Sequence, residues 1–405
     1  MKFAQPSSRA IIISLLIGLA LKLVIVDAFG LQALAPFIKT CADTVREIYM
    51  RLLRFLSLPI LFFAILATMA QFQSIQEIRD RLGYVLKWTL LTTFMAALLA
   101  AICFQILYPV VQPQNIVHKL ADSFDAVKAI VPDNIVTMFS EQNVIAVVLF
   151  GLILGSVTLF LPEDRKKGVA EAYLSLNSIF MTLARGLIIC LPIVLWSFSY
   201  QWADQLDEHY AATMQLGMYA LTILLANTIQ AVVVLPLILL MKRLNPRTLF
   251  NAMLPALNLA FFSKSSSATL PLSIECATNR AKLPASTVRY TMPLCSTVNM
   301  NGCAGFIYIT VMFVAETHGV SFSVFEKVMW VFLSVVAAFG NAGVPMGCYF
   351  MAQAFLVMMD VPTGMMALIL PFYAFLDMYE TAINIWSDSC VTAICAQKDM
   401  ELAHG

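Results

Sequence analysis

Charged side chains are scarce in this 405-residue sequence. Lys, Arg, Asp and Glu together make up 12% of it, whereas an ordinary globular domain has about 25%. Hydrophobic residues supply 60%, and a membrane-spanning helix needs about 20 of them in a row. This balance excludes a large aqueous domain and predicts an all-α polytopic membrane protein.

The sequence also lacks the patterns of metalloenzymes, intramembrane enzymes and nucleic-acid-binding proteins. The net charge is +1, which excludes the basic field that nucleic acids require. The four histidines lie apart, the nine cysteines fall mostly within apolar runs, and no HExxH motif or pair of CxxC motifs is present. We therefore expect no enzyme activity, no cofactor and no nucleic-acid partner.

Six long apolar segments occupy the first 241 residues. They lie at about 11–26, 48–70, 84–108, 142–161, 174–200 and 211–241. No small-residue cleavage site follows the first segment, so it is interpreted as a retained helix. Lys and Arg lie at the N-terminus, in the second and fourth connections of this series and after the sixth segment, so the N-terminus and the loop at 242–250 are predicted to be cytoplasmic.

Two later apolar segments are interrupted. A Ser-Lys-Ser-Ser-Ser run breaks the first at 263–267, and a Gly-Asn-Ala-Gly-Val-Pro run breaks the second at 340–345. Each is followed by one long apolar helix with a mid-membrane asparagine, Asn299 or Asn384. Two such breaks indicate an inverted repeat with a binding site at mid-membrane. An aqueous linker at the first break and a helix kink at the second are the alternative interpretations.

The last apolar segment carries a polar stripe. Asp377, Thr381, Asn384 and Asp388 follow one another at steps of 4, 3 and 4 residues, which places them on one helical face, and Glu380 lies beside them. Carboxylates at membrane depth are costly and repel one another unless a cation or proton lies among them. The stripe predicts a cation-coupled site, and a helix lying in an aqueous interface is the alternative.

Amides and hydroxyls elsewhere supply oxygens suited to a Na⁺-like ion. These residues are Asn299, Asn301, Thr297 and Thr310 in the preceding helix and Thr92 and Thr93 in the third span. The two span threonines alone would equally suit helix packing.

Four motifs, in order, resemble the dicarboxylate/amino acid:cation symporter family, which includes glutamate and aspartate transporters. The run at 263–271 resembles the tip of that family's first re-entrant hairpin, and 299–303 resembles its NMDGT signature. The run at 342–345 is similar to the second hairpin tip, and 377–388 is similar to the D-x-x-R-T-x-x-N-x-x-x-D helix. Residues 50–70 also look like the family's second helix.

The resemblance implies an elevator-type transporter with eight transmembrane helices plus two re-entrant helical hairpins, arranged as inverted repeats in a homotrimer. Scaffold helices would lie at 1–78 and 109–203, and the transport domain would comprise 79–108 and 204–397. The lipid bilayer would be a bacterial inner membrane, with both termini in the cytoplasm.

The resemblance also implies two sets of site residues. The substrate set is Ser265, Ser266, Lys264, Cys303, Val344, Asp377, Glu380, Thr381 and Asn384. The cation set is Thr92, Thr93, Cys295, Thr297, Asn299, Asn301, Asn341, Asn384 and Asp388. In the first set Asp377 would hold a substrate amino group, Asn384 and Ser266 would hold the α-carboxylate with help from Thr381, and 343–345 would form an outer gate.

Three positions depart from the family pattern. Glu380 stands where acidic-substrate members have an arginine that grips the substrate's second carboxylate, and Cys303 replaces the threonine of NMDGT. These changes predict symport of a small neutral or cationic amino acid. Asn301 replaces an aspartate, which predicts fewer coupled Na⁺ ions or partial replacement by H⁺ through Glu380. If Lys264 takes the arginine's role, the substrate would instead be an acidic amino acid or a C4-dicarboxylate. An ion channel is the alternative to a transporter.

Overall fold

The computed structural model describes residues 8–28, 32–70, 83–108, 134–140, 144–204, 210–340 and 346–404, nearly all of them helical. The helices are α1 (Ser8–Ala20), α2 (Ala35–Met69), α3 (Gly83–Leu107), α4 (Ile135–Ser140), α5 (Val144–Thr158), α6 (Glu163–Asp204), α7 (Tyr210–Ile229), α8 (Leu235–Met241), α9 (Pro246–Ser263), α10 (Ser266–Glu275), α11 (Ala285–Val298), α12 (Asn301–Thr317), α13 (Val324–Gly340), α14 (Gly347–Met358) and α15 (Gly364–His404).

Three of these helices contain or continue into a wider π-helical turn. Leu21–Ala28 extends α1, Gln230–Val234 joins α7 to α8, and Cys276–Arg280 extends α10. Such a turn accommodates extra residues within the helix, so it changes which side chains face the neighbouring helix. The junction of α7 and α8 is therefore continuous but not regular.

Within the described residues, four helical stretches are long and apolar enough to cross a membrane. They are Gly83–Leu107, Gln215–Met241, Ala285–Thr317 and Gly364–Glu401, judged by length and composition alone. The predicted apolar segments of the N-terminal half all coincide with helices, and several of these helices extend further. α6, for example, begins at Glu163, eleven residues before its apolar segment, with a polar first part. The count of eight spans stays a prediction.

The first interrupted segment folds as two helices joined by a two-residue turn. α9 begins after Asn245, whose side chain accepts hydrogen bonds from the backbone N–H groups of Arg247 and Thr248. α9 ends at Lys264, which adopts the left-handed conformation with φ of 53°. Ser265 then caps α10 by accepting a hydrogen bond from the N–H of Ala268, and the two helices pack together. The break is therefore a tight helical turn and not an extended linker.

The second interrupted segment consists of α13 and α14. Met346 precedes α14 in a left-handed conformation, with φ of 58°. The predicted gate at 343–345, together with Asn341 and Val344, lies outside the described residues.

The apolar segment after the first hairpin is not one continuous helix, as the sequence had suggested. α11 ends at Val298, Asn299 and Met300 have non-helical dihedral angles (φ −98°, ψ 72° and φ −103°, ψ 66°), and α12 begins at Asn301. The break comprises only Asn299 and Met300, so the stretch Ala285–Thr317 remains apolar enough on average to pass for a single span. The interruption turns the polar side chains of this region toward α3 and α15.

Helix α12 lies at the centre of the molecule. Every residue from Asn301 to Ala315 is buried. Gly302 permits this burial, because a Cβ atom there would lie 2.9 Å from the Cα of Glu380 in α15. The first turn of α12 is thereby held directly against the polar stripe.

The helices pack in two groups. One consists of α1, α2, α5 and α6, and the other of α3 and α7 to α15, with α2 and α5 also touching α13 and α14, and α6 touching α15. Large apolar side chains on the outer helices are exposed, among them Ile13, Phe55 and Ile153. Such a surface is expected of a protein surrounded by lipid.

Candidate functional site

The polar residues predicted from the sequence meet where α11 gives way to α12. α3 contributes hydroxyl groups, the α11–α12 break contributes amides, and α15 contributes the polar stripe. Glu380, Thr381, Asn384 and Asp388 are all buried, with exposures of 1%, 6%, 3% and 0%, whereas Asp377 is partly exposed. Burial inside the protein argues against the interpretation of α15 as an interfacial helix.

An oxygen-rich cluster forms around Asn299 and Asp388. The Nδ2 group of Asn299 donates to Asp388 Oδ1 at 3.0 Å and to Ser387 Oγ at 2.9 Å. Thr92 Oγ1 lies 3.0 Å from Asn299 Oδ1. The second carboxylate oxygen of Asp388 has no hydrogen-bond partner among the described residues. A buried carboxylate with one free oxygen beside amide and hydroxyl oxygens is suited to a hard cation.

Asn301 completes this cluster with its own amide. Its Nδ2 group donates to Asn299 Oδ1 at 2.9 Å and lies 3.3 Å from both Thr92 Oγ1 and Thr93 Oγ1. Its Oδ1 atom accepts a hydrogen bond of 2.7 Å from Gln230 Nε2. The amide N–H₂ therefore lies among three oxygens that a cation would otherwise coordinate, and both threonines belong to the network and not only to helix packing.

The side chain of Asn384, which was expected to contribute to the cation site, bonds instead to the first turn of α12. Its Oδ1 atom accepts a hydrogen bond of 2.9 Å from the N–H of Gly302, and its Nδ2 group donates to Cys303 Sγ at 3.3 Å. It therefore joins α15 to the first turn of α12. The structure brings Asn299 and Asp388 together, while Asn384 lies about one turn of α15 away.

Asp377 and Lys264 lie at the open end of the stripe. Tyr373 donates to Asp377 Oδ1 at 3.3 Å, and Thr381 Oγ1 donates to the backbone carbonyl of Asp377 at 2.7 Å. The half-buried Lys264 attracts Asp377 electrostatically. Among the ion pairs of the described residues there is no direct pairing between the two. Ser265 is engaged as a helix cap, and Ser266 is the partly buried first residue of α10.

Glu380 lies beside thiols and not beside amides or hydroxyls. It is 1% exposed, and neither of its carboxylate oxygens has a nitrogen or oxygen hydrogen-bond donor within the described residues. The sulfur atoms of Cys303 and Cys348 and a carboxylate oxygen of Glu380 all lie within 4.8 Å of one another. An acid thus lies among thiols where an arginine was expected from the family pattern.

Three other predicted residues lie apart from these contacts. Cys295 packs in an apolar cluster with Val391 and Cys395, and Thr297 Oγ1 donates to the backbone carbonyl of Leu294 at 2.7 Å. Thr310 is hydrogen-bonded to Tyr219 at 2.8 Å, further along α12. Its hydroxyl is therefore engaged outside the cation cluster.

Sequence reasoning missed three residues of the site. Gln230 and Ser387 join the cation cluster, and Cys348 lies beside Glu380. A lone glutamine in an apolar span and a serine next to Asp388 were signals that could have found the first two. Cys348 carried no such signal, because a cysteine in an apolar segment is ordinarily a packing residue.

Comparison with known proteins gives a consistent assignment. The sequence model of a family described as the sodium:dicarboxylate symporter family matches residues 8–398. A putative sodium-dependent excitatory amino acid transporter of Caenorhabditis elegans is 31% identical over 266 residues, which cover 65% of this chain and 52% of that protein. This chain therefore spans about half the length of that relative.

Two further relatives match nearly the whole chain. An uncharacterized symporter of Haemophilus influenzae is 28% identical over 412 residues, covering 94% of this chain and 91% of its own. Neutral amino acid transporter B(0) of Oryctolagus cuniculus is 26% identical over 425 residues, which cover 93% of this chain and 77% of that protein. With the family match extending over nearly all residues, the chain belongs to the sodium:dicarboxylate symporter family, a family of transporters and not of enzymes.

Proposed function

We propose that the protein is a secondary symporter that couples inward Na⁺ movement to the uptake of a small amino acid with a neutral or cationic side chain. The observation that carries this proposal is the buried Glu380 beside two thiols. An ionised acid there repels the second carboxylate of an acidic substrate, and a protonated one offers no positive charge to hold it. Asp377 at the open end of the stripe remains placed to attract a substrate amino group.

The ion coupling follows from the cluster around Asn299 and Asp388. Asp388 retains a free carboxylate oxygen for one Na⁺, in keeping with the sodium dependence of the family. The amide of Asn301 lies among the oxygens of Thr92, Thr93 and Asn299 and competes with an ion for them. This arrangement supports coupling to fewer Na⁺ ions than in relatives with an aspartate at this position, or partial replacement by H⁺ through Glu380.

The architecture is the remaining part of the proposal. The group of α1, α2, α5 and α6 would form the trimer scaffold, and α3 and α7 to α15 would form a transport domain that moves across the bilayer. This division is supported by the packing, because most helix–helix contacts lie within one group and fewer join the two. The alternation of basic loops supports cytoplasmic termini, and the bacterial relative supports an inner-membrane location.

The alternative substrate class is acidic amino acids or C4-dicarboxylates. It is favoured by one observation, the position of Lys264 at the hairpin turn, where its charge is close enough to attract Asp377. In that case the lysine would neutralise Asp377 and leave a positive charge for a second substrate carboxylate.

The deciding experiment is uptake into liposomes under an inward Na⁺ gradient. Labelled alanine, serine, lysine and aspartate are offered, with unlabelled alanine, serine, lysine, aspartate and succinate as competitors, to the parent protein and to Glu380→Gln. We expect neutral or basic amino acids to compete in the parent and aspartate to compete better in the variant. Strong aspartate transport by the parent that Glu380→Gln abolishes would contradict the proposal. Dissipation of the gradient without saturable accumulation would identify a channel.

A further inference from the structure

Three potential metal ligands meet on three different helices. Cys303 lies in the first turn of α12, Cys348 in the first turn of α14, and Glu380 in the middle of α15. Their exposures are 6%, 3% and 1%, and their ligand atoms all lie within 4.8 Å of one another. The group is therefore compact, buried and shared between separate elements of the fold.

Ordinary core packing explains the cysteines but not the acid. A buried thiol behaves as a small apolar group, and five cysteines outside this group, such as Cys276 and Cys390, are buried in that manner. A fully buried carboxylate whose only neighbouring donors within the described residues are thiols is costly as an anion, so its charge has to be neutralised by a proton or by a nearby cation. No basic side chain pairs with Glu380 among the ion pairs of the described residues.

The donor set selects the class of cation. Na⁺ prefers oxygen ligands, whereas two thiolates and one carboxylate suit Zn²⁺ and similar thiophilic ions. In a tetrahedral zinc site with Zn–S bonds of about 2.3 Å and Zn–O bonds of about 2.0–2.2 Å, neighbouring ligand atoms lie roughly 3.3–3.8 Å apart. The observed upper limit of 4.8 Å is compatible with such a site after side-chain movements of about 1 Å.

The surroundings already orient one of the sulfur ligands. Asn384 Nδ2 donates to Cys303 Sγ at 3.3 Å, a hydrogen bond that stabilises a thiolate, and Asn384 is itself fixed by the N–H of Gly302. The site is also distinct from the cation cluster, because Asp388 lies eight residues further along α15, about 12 Å at 1.5 Å per residue.

We propose that Cys303, Cys348 and Glu380 bind a thiophilic divalent cation, with water or substrate as the fourth ligand, and that the bound ion arrests transport. Each thiol releases its proton to water as the ion binds. The ion then links α12, α14 and α15 and removes Glu380 from the substrate site. The arrest rests on the proposed function, whereas the binding does not.

Binding is tested on the full-length protein in detergent, with Zn²⁺ and with Cd²⁺, whose thiolate complexes absorb in the ultraviolet. Cys41 and Cys190, which are more accessible, are replaced by serine in all samples to reduce surface binding. We expect about one equivalent of Cd²⁺ to produce a thiolate band and Zn²⁺ to displace it. Cys348→Ala should weaken binding at least about tenfold, whereas Cys390→Ala, another buried cysteine, should leave it unchanged.

The size-exclusion profile of each variant is measured first, and Cys348→Ser serves as a second variant if Cys348→Ala does not fold. Equal binding by the Cys348 and Cys390 variants, or no thiolate band in the parent, would overturn the site. Glu380→Gln should also weaken binding, because it removes the charged oxygen ligand.

Arrest is tested by uptake in liposomes with micromolar Zn²⁺. The parent should be inhibited, and Cys348→Ala should need at least about tenfold more Zn²⁺ for the same inhibition. If Zn²⁺ binds but does not affect uptake, the proposed inhibition is wrong and the proposed metal site stands. If the protein binds Zn²⁺ but transports no amino acid, the proposed function is wrong and the proposed metal site stands. If uptake is normal and no Zn²⁺ binds, the proposed metal site is wrong and the proposed transport function stands.

Discussion

Two carboxylates on the same buried face of α15 have opposite surroundings. Asp388 accepts a hydrogen bond from Asn299 and lies beside amides and hydroxyls, whereas Glu380 lies beside two thiols and has no nitrogen or oxygen donor within the described residues. Both are fully buried, so the difference is one of chemistry and not of depth. Hard oxygen donors around Asp388 suit Na⁺, and the softer donors around Glu380 suit discrimination between substrates or a thiophilic ion.

The largest effect is expected from removing the charge at the oxygen-rich end. Asp388→Asn leaves the cation cluster without a carboxylate, so Na⁺-driven uptake should fall by about 100-fold or more. The initial uptake rate under an Na⁺ gradient measures this, with Asp360→Asn, an exposed residue outside the site, as the matched control. If Asp388→Asn transports at the rate of the control, the cation cluster is not the coupling site.

The close packing of α12 against α15 at Glu380 depends on Gly302. Gly302→Ala would place a Cβ atom 2.9 Å from the backbone of Glu380, so α12 and α15 should separate, at a cost of about 1–3 kcal/mol in unfolding free energy. Thermal unfolding in detergent measures this effect. Gly217→Ala, where no atom lies within 4 Å of the added methyl group, should not destabilise the protein. Equal midpoints for the two variants would contradict the close approach.

Asn301→Asp is expected to make the oxygen-rich end more attractive to cations. The amide that occupies three oxygen partners becomes a carboxylate, and the apparent Na⁺ affinity should rise by about tenfold with a steeper Na⁺ dependence. Uptake as a function of Na⁺ concentration measures both quantities. Asn258→Asp on the exposed side of α9 is the control, and an unchanged Na⁺ curve in Asn301→Asp would refute the interpretation.

The smallest effect is expected at Gln230. Gln230→Leu removes a 2.7 Å hydrogen bond to Asn301, worth about 1 kcal/mol, so the Na⁺ dependence should shift by about fivefold. Gln353→Leu is a matched control, because the buried amide of Gln353 has no partner among the described residues. A larger shift at Gln353 than at Gln230 would show that the network does not control Na⁺ binding.

The two ends of the stripe also differ in how far the sequence could predict them. The spacing of Asp377, Thr381, Asn384 and Asp388 predicted one helical face, and all but Asp377 are buried on it, because helical period is a local property. The hairpin turn at Lys264 was likewise predictable from its serine-rich interruption of an apolar run. Local patterns were sufficient for these two features.

The remaining features depend on contacts between distant residues. The break at Asn299 was not predicted, because a two-residue interruption does not lower the average hydropathy of the stretch enough to mark it, and only the hydrogen bonds to α3 and α15 reveal its role. Cys348 lies 32 residues from Glu380 along the chain, and its sequence neighbours are all apolar. No periodicity shows which side chain of α14 faces α15, so the thiol-lined end could be found only in the folded structure.

The π-helical turn at Gln230–Val234 has a consequence for relatives of this protein. An additional residue in one turn rotates everything after it by about 100° relative to a regular helix, and the buried faces before and after the turn are therefore out of phase. Leu235 and Leu239, both fully buried, owe their inward orientation to that offset. A relative that lacks one residue in this turn would have a nearly identical span by composition but would present a different row of side chains to the neighbouring helices.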